Sequence, residues 1–292
     1  MQPRSVLLAL AVALLWGGNF IALKFASQAF PPIFIAAMRF ACVAILMLPF
    51  VKVPSRARMP GILAVSFTLG SLHFGPMFTG LARVEAATGA IMSQLSVPFS
   101  ALLAAFWFKE RLGLRQIGGI ALAFTGVALL AGAPSGASDP LGICLIVFGA
   151  LCWALANGVI KHFGPFDPYM LTAWMALFAA PQLFAMSYVL EQGQWQSLRQ
   201  AGWADWGAVA YIVVGAGILG YTLWYRLLND NPVSQIVPFA LLPPVIAVFL
   251  AIPILGTPLS AALLLGGFLT VAGVGLCEIH WPRRGHRPWR KR

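Results

Sequence analysis

The sequence is poor in charge. Of its 292 residues only 9% are Asp, Glu, Lys or Arg, whereas 60% are hydrophobic, and the mean hydropathy is +0.85. Nineteen Lys and Arg with eight Asp and Glu cannot solvate the surface of a 31 kDa globule, so a soluble fold is excluded and the chain belongs in lipid. Acids are scarcest of all. All eight fall in loops or at span ends, Glu278 nearest to membrane, which leaves no mid-span carboxylate to carry a proton. The four cysteines, Cys42, Cys144, Cys152 and Cys277, sit singly in apolar runs without the spacing of a metal site or disulfide framework, and read as small buried apolar residues. Also missing are His-Glu-x-x-His, Gly-x-Ser-x-Gly, an aspartate pair and a phosphate-cradling glycine loop. Without them an enzyme, a metal centre or a cofactor site has no footing. The longest non-membrane stretches are residues 191–205 and the C-terminal tail, so a receptor has no output domain to act through.

The net charge of +11 is placed for a membrane. The basic residues fall between the apolar runs, and six of them, Arg283, Arg284, Arg287, Arg290, Lys291 and Arg292, form a tail suited to an anionic cytoplasmic leaflet. No module interleaving basic and aromatic residues appears outside the runs, so nucleic acid is not an expected partner. Membrane lipid and a small-molecule substrate are, and a monomer is expected.

Apolar runs of the ~20 residues needed to cross a bilayer core begin near Ser5, Ile33, Gly61, Ala86, Gln116, Leu141, Met170, Trp206, Ser234 and Ser260. The first, from Val6 to Ala26, exceeds the ~7 to 15 residues of a signal-peptide core, and it is read as a span. Ten crossings put Arg4, Lys52, Arg56, Arg58, Lys109, Arg111, Arg115, Lys161, Arg226 and the tail on one face, fifteen cations in all. The other face receives Lys24, Arg83 and Arg199, so both termini are expected in the cytoplasm of a bacterial inner membrane.

The chain also repeats. Sliding it by 147 residues matches three spans without gaps, Gly119 and Gly126 meeting Gly266 and Gly273; an offset of 137 aligns Trp16 with Trp153 and Lys24 with Lys161. Five spans repeated as five must enter the membrane from opposite sides, the inverted plan of many secondary transporters. The expected fold is therefore an all-α integral membrane protein of ten transmembrane helices, two inverted five-helix repeats around a central cavity. Its divisions are residues 1–136, 137–281 and a basic tail at 282–292. The glycine pairs have a plainer role open to them, letting neighbouring helices pack closely.

Several segments together carry a family likeness. They are Trp16-Gly17-Gly18-Asn19-Phe20 with Lys24, Arg39-Phe40, Pro98 followed by Lys109-Glu110-Arg111-Leu112, and the glycines from Gly118-Gly119 to Gly126-Val127. On these the chain resembles the drug/metabolite transporter superfamily, specifically its ten-helix EamA type, over nearly its whole length. The aromatic-rich spans resemble the aromatic amino-acid exporter branch, the YddG type. The resemblance implies a secondary transporter that exports small metabolites, aromatic or other neutral amino acids foremost, by alternating access. Other metabolites or drugs, such as purines and quaternary amines, and a membrane scaffold or sensor remain alternatives. The chain departs from the pattern in its second copy, where Thr257 stands at the position matching Glu110.

Candidate pathway residues follow from the cost of polar groups and prolines in lipid. Proline inside a span frees backbone carbonyls that protein or water must satisfy, so Pro98, Pro238, Pro243 and Pro244 mark the fourth and ninth helices as kinked or broken walls. Asn19, Arg39, His73, Gln94, Asn157 and Gln235 are expected to face the bundle interior. His73 is flanked by Phe74 and Phe78, and the matching stretch of the second copy holds Tyr221, Trp224 and Tyr225. With Trp16 and Trp153 these make facing aromatic walls for an ammonium group or an aromatic ring, unless they are simply core or lipid-facing. Arg39 is either a packing anchor or an attractor of a substrate carboxylate, while Lys24 and Lys161 can snorkel to the interface. With no mid-span acid, transport is expected to follow the substrate's own gradient, or to couple to protons through His73.

Overall fold

The computed structural model describes residues 2–107, 109, 112–132, 139–231 and 233–278, and among them all regular structure is helical. Glu110, Arg111, the division at 136/137 and the tail at 282–292 lie outside the described residues, as do the side chains of Tyr225 and Pro238.

Eight helices are long and apolar enough to cross a membrane: α1 (Pro3–Ala29), α2 (Pro32–Phe50), α3 (Arg56–Arg83), α4 (Ala86–Trp107), α5 (Leu114–Ala131), α6 (Pro140–Phe163), α7 (Pro168–Leu190) and α8 (Trp203–Leu228). Two shorter apolar helices follow, α9 (Phe239–Leu255) and α10 (Ala261–Cys277, with Glu278 as its last helical residue).

Local chemistry sets the starts. Proline opens α1, α2, α6 and α7, where its missing N–H costs no helical bond. Asp139 and Asp167 cap α6 and α7 through Leu141 N at 2.9 Å and Met170 N at 2.8 Å. The N-terminus of α2 has no such neighbour, because Pro31 precedes it. Its free N–H groups on Ile33 and Phe34 are taken instead by the Glu191 carboxylate beyond the end of α7, at 2.7 and 3.0 Å. At the opposite end of the same helix pair Trp174 Nε1 donates to Lys52 O at 3.2 Å, so α2 and α7 run antiparallel.

Interruptions recur at matching places. α3 passes through a π-helical stretch, Ser66–His73, into an α-helix at Phe74–Arg83; α8 passes through another, Tyr211–Gly220, into Tyr221–Asp230. Both junctions and both helix ends are 147 residues apart, as are the two ends of Leu114–Ala131 and Ala261–Glu278. α4 breaks between Ser93 and Ser96. Pro98 offers Gln94 O no hydrogen, and that carbonyl accepts from Val97 N at 3.0 Å. In the second half a 3-10 segment, Val237–Leu241, separates Val233–Ile236 from Leu242–Leu255, with Pro238 inside it and Pro243 and Pro244 just after.

α5 and α10 pair extensively with each other. A Cβ built on Gly119 would lie 2.6 Å from Gly273 O, and one on Gly126 2.5 Å from Gly266 O. The close approach is thus backbone to backbone, as small residues permit in lipid. The partners also exchange roles, since Gly119 matches Gly266 and Gly126 matches Gly273 in the repeat. Such a self-complementary, antiparallel contact is what a twofold relation between two like elements produces.

Candidate functional site

Among the described residues one cation lies buried in the interior of the bundle. Arg39, on α2, is 5% exposed, and its guanidinium lies over the Phe74 ring at 4.8 Å, with Phe40 and Phe78 at 5.8 and 5.9 Å. It donates a hydrogen bond to the Tyr221 hydroxyl. α3 presents Phe74 and α8 presents Tyr221 from the first residue after the π-helical stretch in each copy, so the two matched junctions meet at this one charge.

Rings extend the contact to both sides. Tyr221 packs on Trp16 at 5.4 Å and Trp16 on Trp224 at 5.3 Å; Phe74 packs on Phe78 at 5.6 Å and on His73 at 4.5 Å; His73 packs on Trp153 at 5.0 Å. The stack runs from Trp224 to Trp153 through five helices. Its two ends are built alike, since Trp153 of α6 meets His73 of α3 as Trp16 of α1 meets Gly220 of α8. A Cβ on Gly220 would lie 2.6 Å from Trp16 Nε1, and with glycine there the indole reaches Ala216 O at 3.3 Å. Where the second copy makes room for an indole, the first places an imidazole. His73 is 6% exposed, and its Nδ1 lies 2.8 Å from Gly149 O; a carbonyl only accepts, so this nitrogen carries the proton.

The helix breaks form a second element. Gln94, in the break of α4, reaches Ala240 O in the opposed 3-10 segment at 3.5 Å. Pro243 O faces α1, 2.9 Å from where a Cβ on Gly17 would stand, and Pro98, Pro243 and Pro244 are buried. Asn19, two residues on, keeps its amide oxygen buried without a hydrogen-bond donor.

Thus Trp16, Arg39, His73, Phe74, Phe78, Trp153, Tyr221 and Trp224 come together, with Gln94 at the facing breaks. Asn157 does not join them: it is exposed and lies 3.5 Å from Ser100 Oγ at the contact of α6 with α4. Gln235 is exposed. Lys24 turns to Ala82 O, 2.8 Å away in the last turn of α3, where a cation meets the negative end of a helix. Lys161 is exposed near the end of α6.

Sequence reasoning missed three groups. Ser71 Oγ donates to Gln182 Oε1 at 2.7 Å, and Gln182 Nε2 to Ser66 Oγ at 3.1 Å, tying the π-helical stretch of α3 to α7. Tyr211 donates to Leu15 O at 3.1 Å, pinning α8 to α1. Glu191 caps α2 from across the bundle, a partner 157 residues away that no local stretch of sequence contains. Burial pushes its carboxyl above the ordinary glutamate range, against the opposing pull of the two backbone N–H groups and Ser187.

A cleft of about 880 Å³ opens at the end of α2 and the start of α7, and no residue of the aromatic stack lines it. It is lined by Leu46, Met47 and Lys52 of α2 and the following loop, by Arg58 at the start of α3, by Asp167 and Met170 at the start of α7, and by Ile218 and Thr222, which flank the α8 junction.

Comparison with known proteins agrees with this architecture. The model of the EamA-like transporter family matches twice, over residues 3–132 and 140–277. The chain is 30% identical over 283 residues to a protein of Salmonella typhimurium named a probable amino-acid metabolite efflux pump, covering 94% of each chain. An Escherichia coli protein of the same name is 29% identical over 285 residues, again with 94% of each covered. A solved crystal structure shares the fold at a TM-score of 0.64 and 21% identity, covering 94% of this chain and 96% of that one. With its family model matched across almost all of its length, this chain belongs to the EamA-like transporters of the drug/metabolite transporter superfamily.

Proposed function

We propose that this EamA transporter exports small amphipathic metabolites, amino acids first among them, by alternating access. In this reading ten helices cross a bacterial inner membrane as two inverted five-helix repeats, with both termini cytoplasmic. The observation that carries it is the convergence of both halves on one buried charge: α8 brings Tyr221, backed by Trp16 of α1, to the same guanidinium that α3 covers with Phe74, backed by His73 and by Trp153 of α6. Two like halves can exchange roles about such a centre, closing it to one side as they open it to the other. The antiparallel exchange of glycines between α5 and α10 supports the inversion. The names of the two enterobacterial relatives support amino acids as cargo. Aromatic walls with a few polar groups suit a solute with one apolar and one charged end.

Counterflow in proteoliposomes tests this directly. Vesicles loaded with unlabelled neutral amino acids are expected to take up the labelled species transiently above equilibrium, and to do so without an imposed pH gradient. Nucleosides or quaternary amines exchanging in their place would move the cargo to the drug and purine class. No exchange of any solute above protein-free vesicles would leave a scaffold or sensor.

A further inference from the structure

A guanidinium at the centre of a membrane protein is normally answered by a carboxylate, and Arg39 is not. Among the described residues the ion pairs are Arg83–Asp139 and Arg226–Asp230, and neither includes it. Its five N–H donors meet one neutral hydroxyl, on Tyr221, and three aromatic rings. A buried charge left in that condition is costly, and a planar fork of donors is matched to a carboxylate in a way that one phenol cannot equal. The surroundings are close-packed: on α8 the neighbour of Nε is Gly217, where an added Cβ would already be in contact, 3.6 Å from Nε and 3.1 Å from Ile212 O, so a carboxylate has to take the place of the Tyr221 hydroxyl. The cleft of about 880 Å³ approaches from one end, lined by Ile218 and Thr222 close to Tyr221 in α8 and by Leu46 and Met47 two turns along α2 from Arg39, and neither Arg39 nor Tyr221 lines it.

We propose that Arg39 is the carboxylate-recognition residue of this transporter, and that the Tyr221 hydroxyl is a placeholder which the substrate's carboxylate displaces. This deepens the transport reading and rests on it. The ligand class is an organic monocarboxylate whose apolar part lies against Phe74, Phe78 and Trp16. Because Tyr221 and Trp16 are in contact, releasing the hydroxyl frees the second half of the stack from the first, so anion binding and loosening of the centre are one event. Amines lacking a carboxylate gain nothing from this exchange.

The test uses the full chain in detergent, with thermal stability read against L-phenylalanine, phenylacetate and phenethylamine, three probes sharing a ring and differing in charge. The two carboxylates are expected to raise the melting temperature in a saturable way and phenethylamine to leave it unmoved. Arg39→Gln is expected to weaken the carboxylate response at least tenfold, and Arg39→Lys, which keeps the charge and the packing stem, to weaken it less. Tyr221→Phe removes the competitor and is expected to tighten it. Equal stabilisation by phenethylamine, silence toward both carboxylates, or an undiminished response in Arg39→Gln overturns the proposal. The outcome is separable from that of the transport reading: a chain that exchanges amines in vesicles but ignores carboxylates keeps transport and loses this site. One that binds carboxylates through Arg39 without any flux does the reverse.

Discussion

The two π-to-α junctions, His73–Phe74 in α3 and Gly220–Tyr221 in α8, share a backbone course and differ in almost every atom they present. At the first an imidazole is held against Gly149 O and a tryptophan lies on it; at the second the side chain is missing and the matching tryptophan fills the space. The ends of the α2/α7 pair repeat the lesson, one joined by an indole on a carbonyl and the other by a half-buried carboxylate on two backbone N–H groups. A duplicated transporter needs matched backbones so that its two states have similar energy, and unmatched side chains so that the site has a chemistry of its own. In this molecule glycine contacts hold the frame and the junction residues carry the difference.

Breaking the frame should be the most damaging change. Gly126→Leu or Gly266→Leu drives a side chain into the facing backbone, where even a Cβ has 2.5 to 2.8 Å. A cost above ~3 kcal/mol, beyond ordinary overpacking, is expected, seen as loss of monodisperse protein. Gly118→Leu, with nothing within 4 Å of its added Cβ, should be recovered at the natural level.

Changing the junctions should cost less and affect the two copies unequally. Gly220→Ala pushes Trp16 from Ala216 O and is expected to destabilise by about 1–3 kcal/mol through overpacking while disturbing Tyr221. His73→Ala strips the bond to Gly149 O and leaves a void beside Trp153, at a similar cost of ~2 kcal/mol. Thermal unfolding compares them; transport by Gly220→Ala should fall further, because that change disturbs Tyr221, the hydrogen-bond acceptor of Arg39.

The helix-pair ends predict a pH effect. Because burial raises the folded-state pKa of Glu191, keeping it ionised costs stability at neutral pH, and that cost is relieved as pH falls through the raised value toward the ordinary one. The melting temperature should therefore rise on mild acidification in the natural chain. In Glu191→Gln, whose amide oxygen can still accept, this part of the slope should vanish. Smallest of all, Arg83→Ala removes a half-exposed pair with Asp139 at 3.3 Å and should cost under ~1 kcal/mol by the same unfolding assay.

Much of the frame was legible because apolar length and repeat spacing are carried by local sequence. The starts inferred at Ser5, Ile33, Ala86, Leu141 and Met170 fall within two residues of Pro3, Pro32, Ala86, Pro140 and Pro168. The glycine pairs announced a close crossing by their equal spacing. The π-helical stretches had no signal, since a run such as Tyr211–Gly220 is as apolar as an ordinary helix and shifts register only against its neighbours. Of the candidate site, the aromatic walls and Arg39 were named separately, and that the rings pack around the guanidinium was not legible. Which ring lies on the guanidinium depends on how α2, α3 and α8 meet, and no window of sequence contains that. Asn157 and Gln235 looked interior because polar residues in spans usually are, yet both are exposed.

The opposed orientation of the two halves has one direct test. The loop after α2 and the loop after α7 hold matching places in the repeat, so Ser55→Cys and Ser197→Cys, each in a chain with the four natural cysteines replaced, should react with a membrane-impermeant maleimide from opposite faces of sealed vesicles. Labelling of both from the same face would contradict the inverted design and, with it, the exchange of roles that alternating access requires.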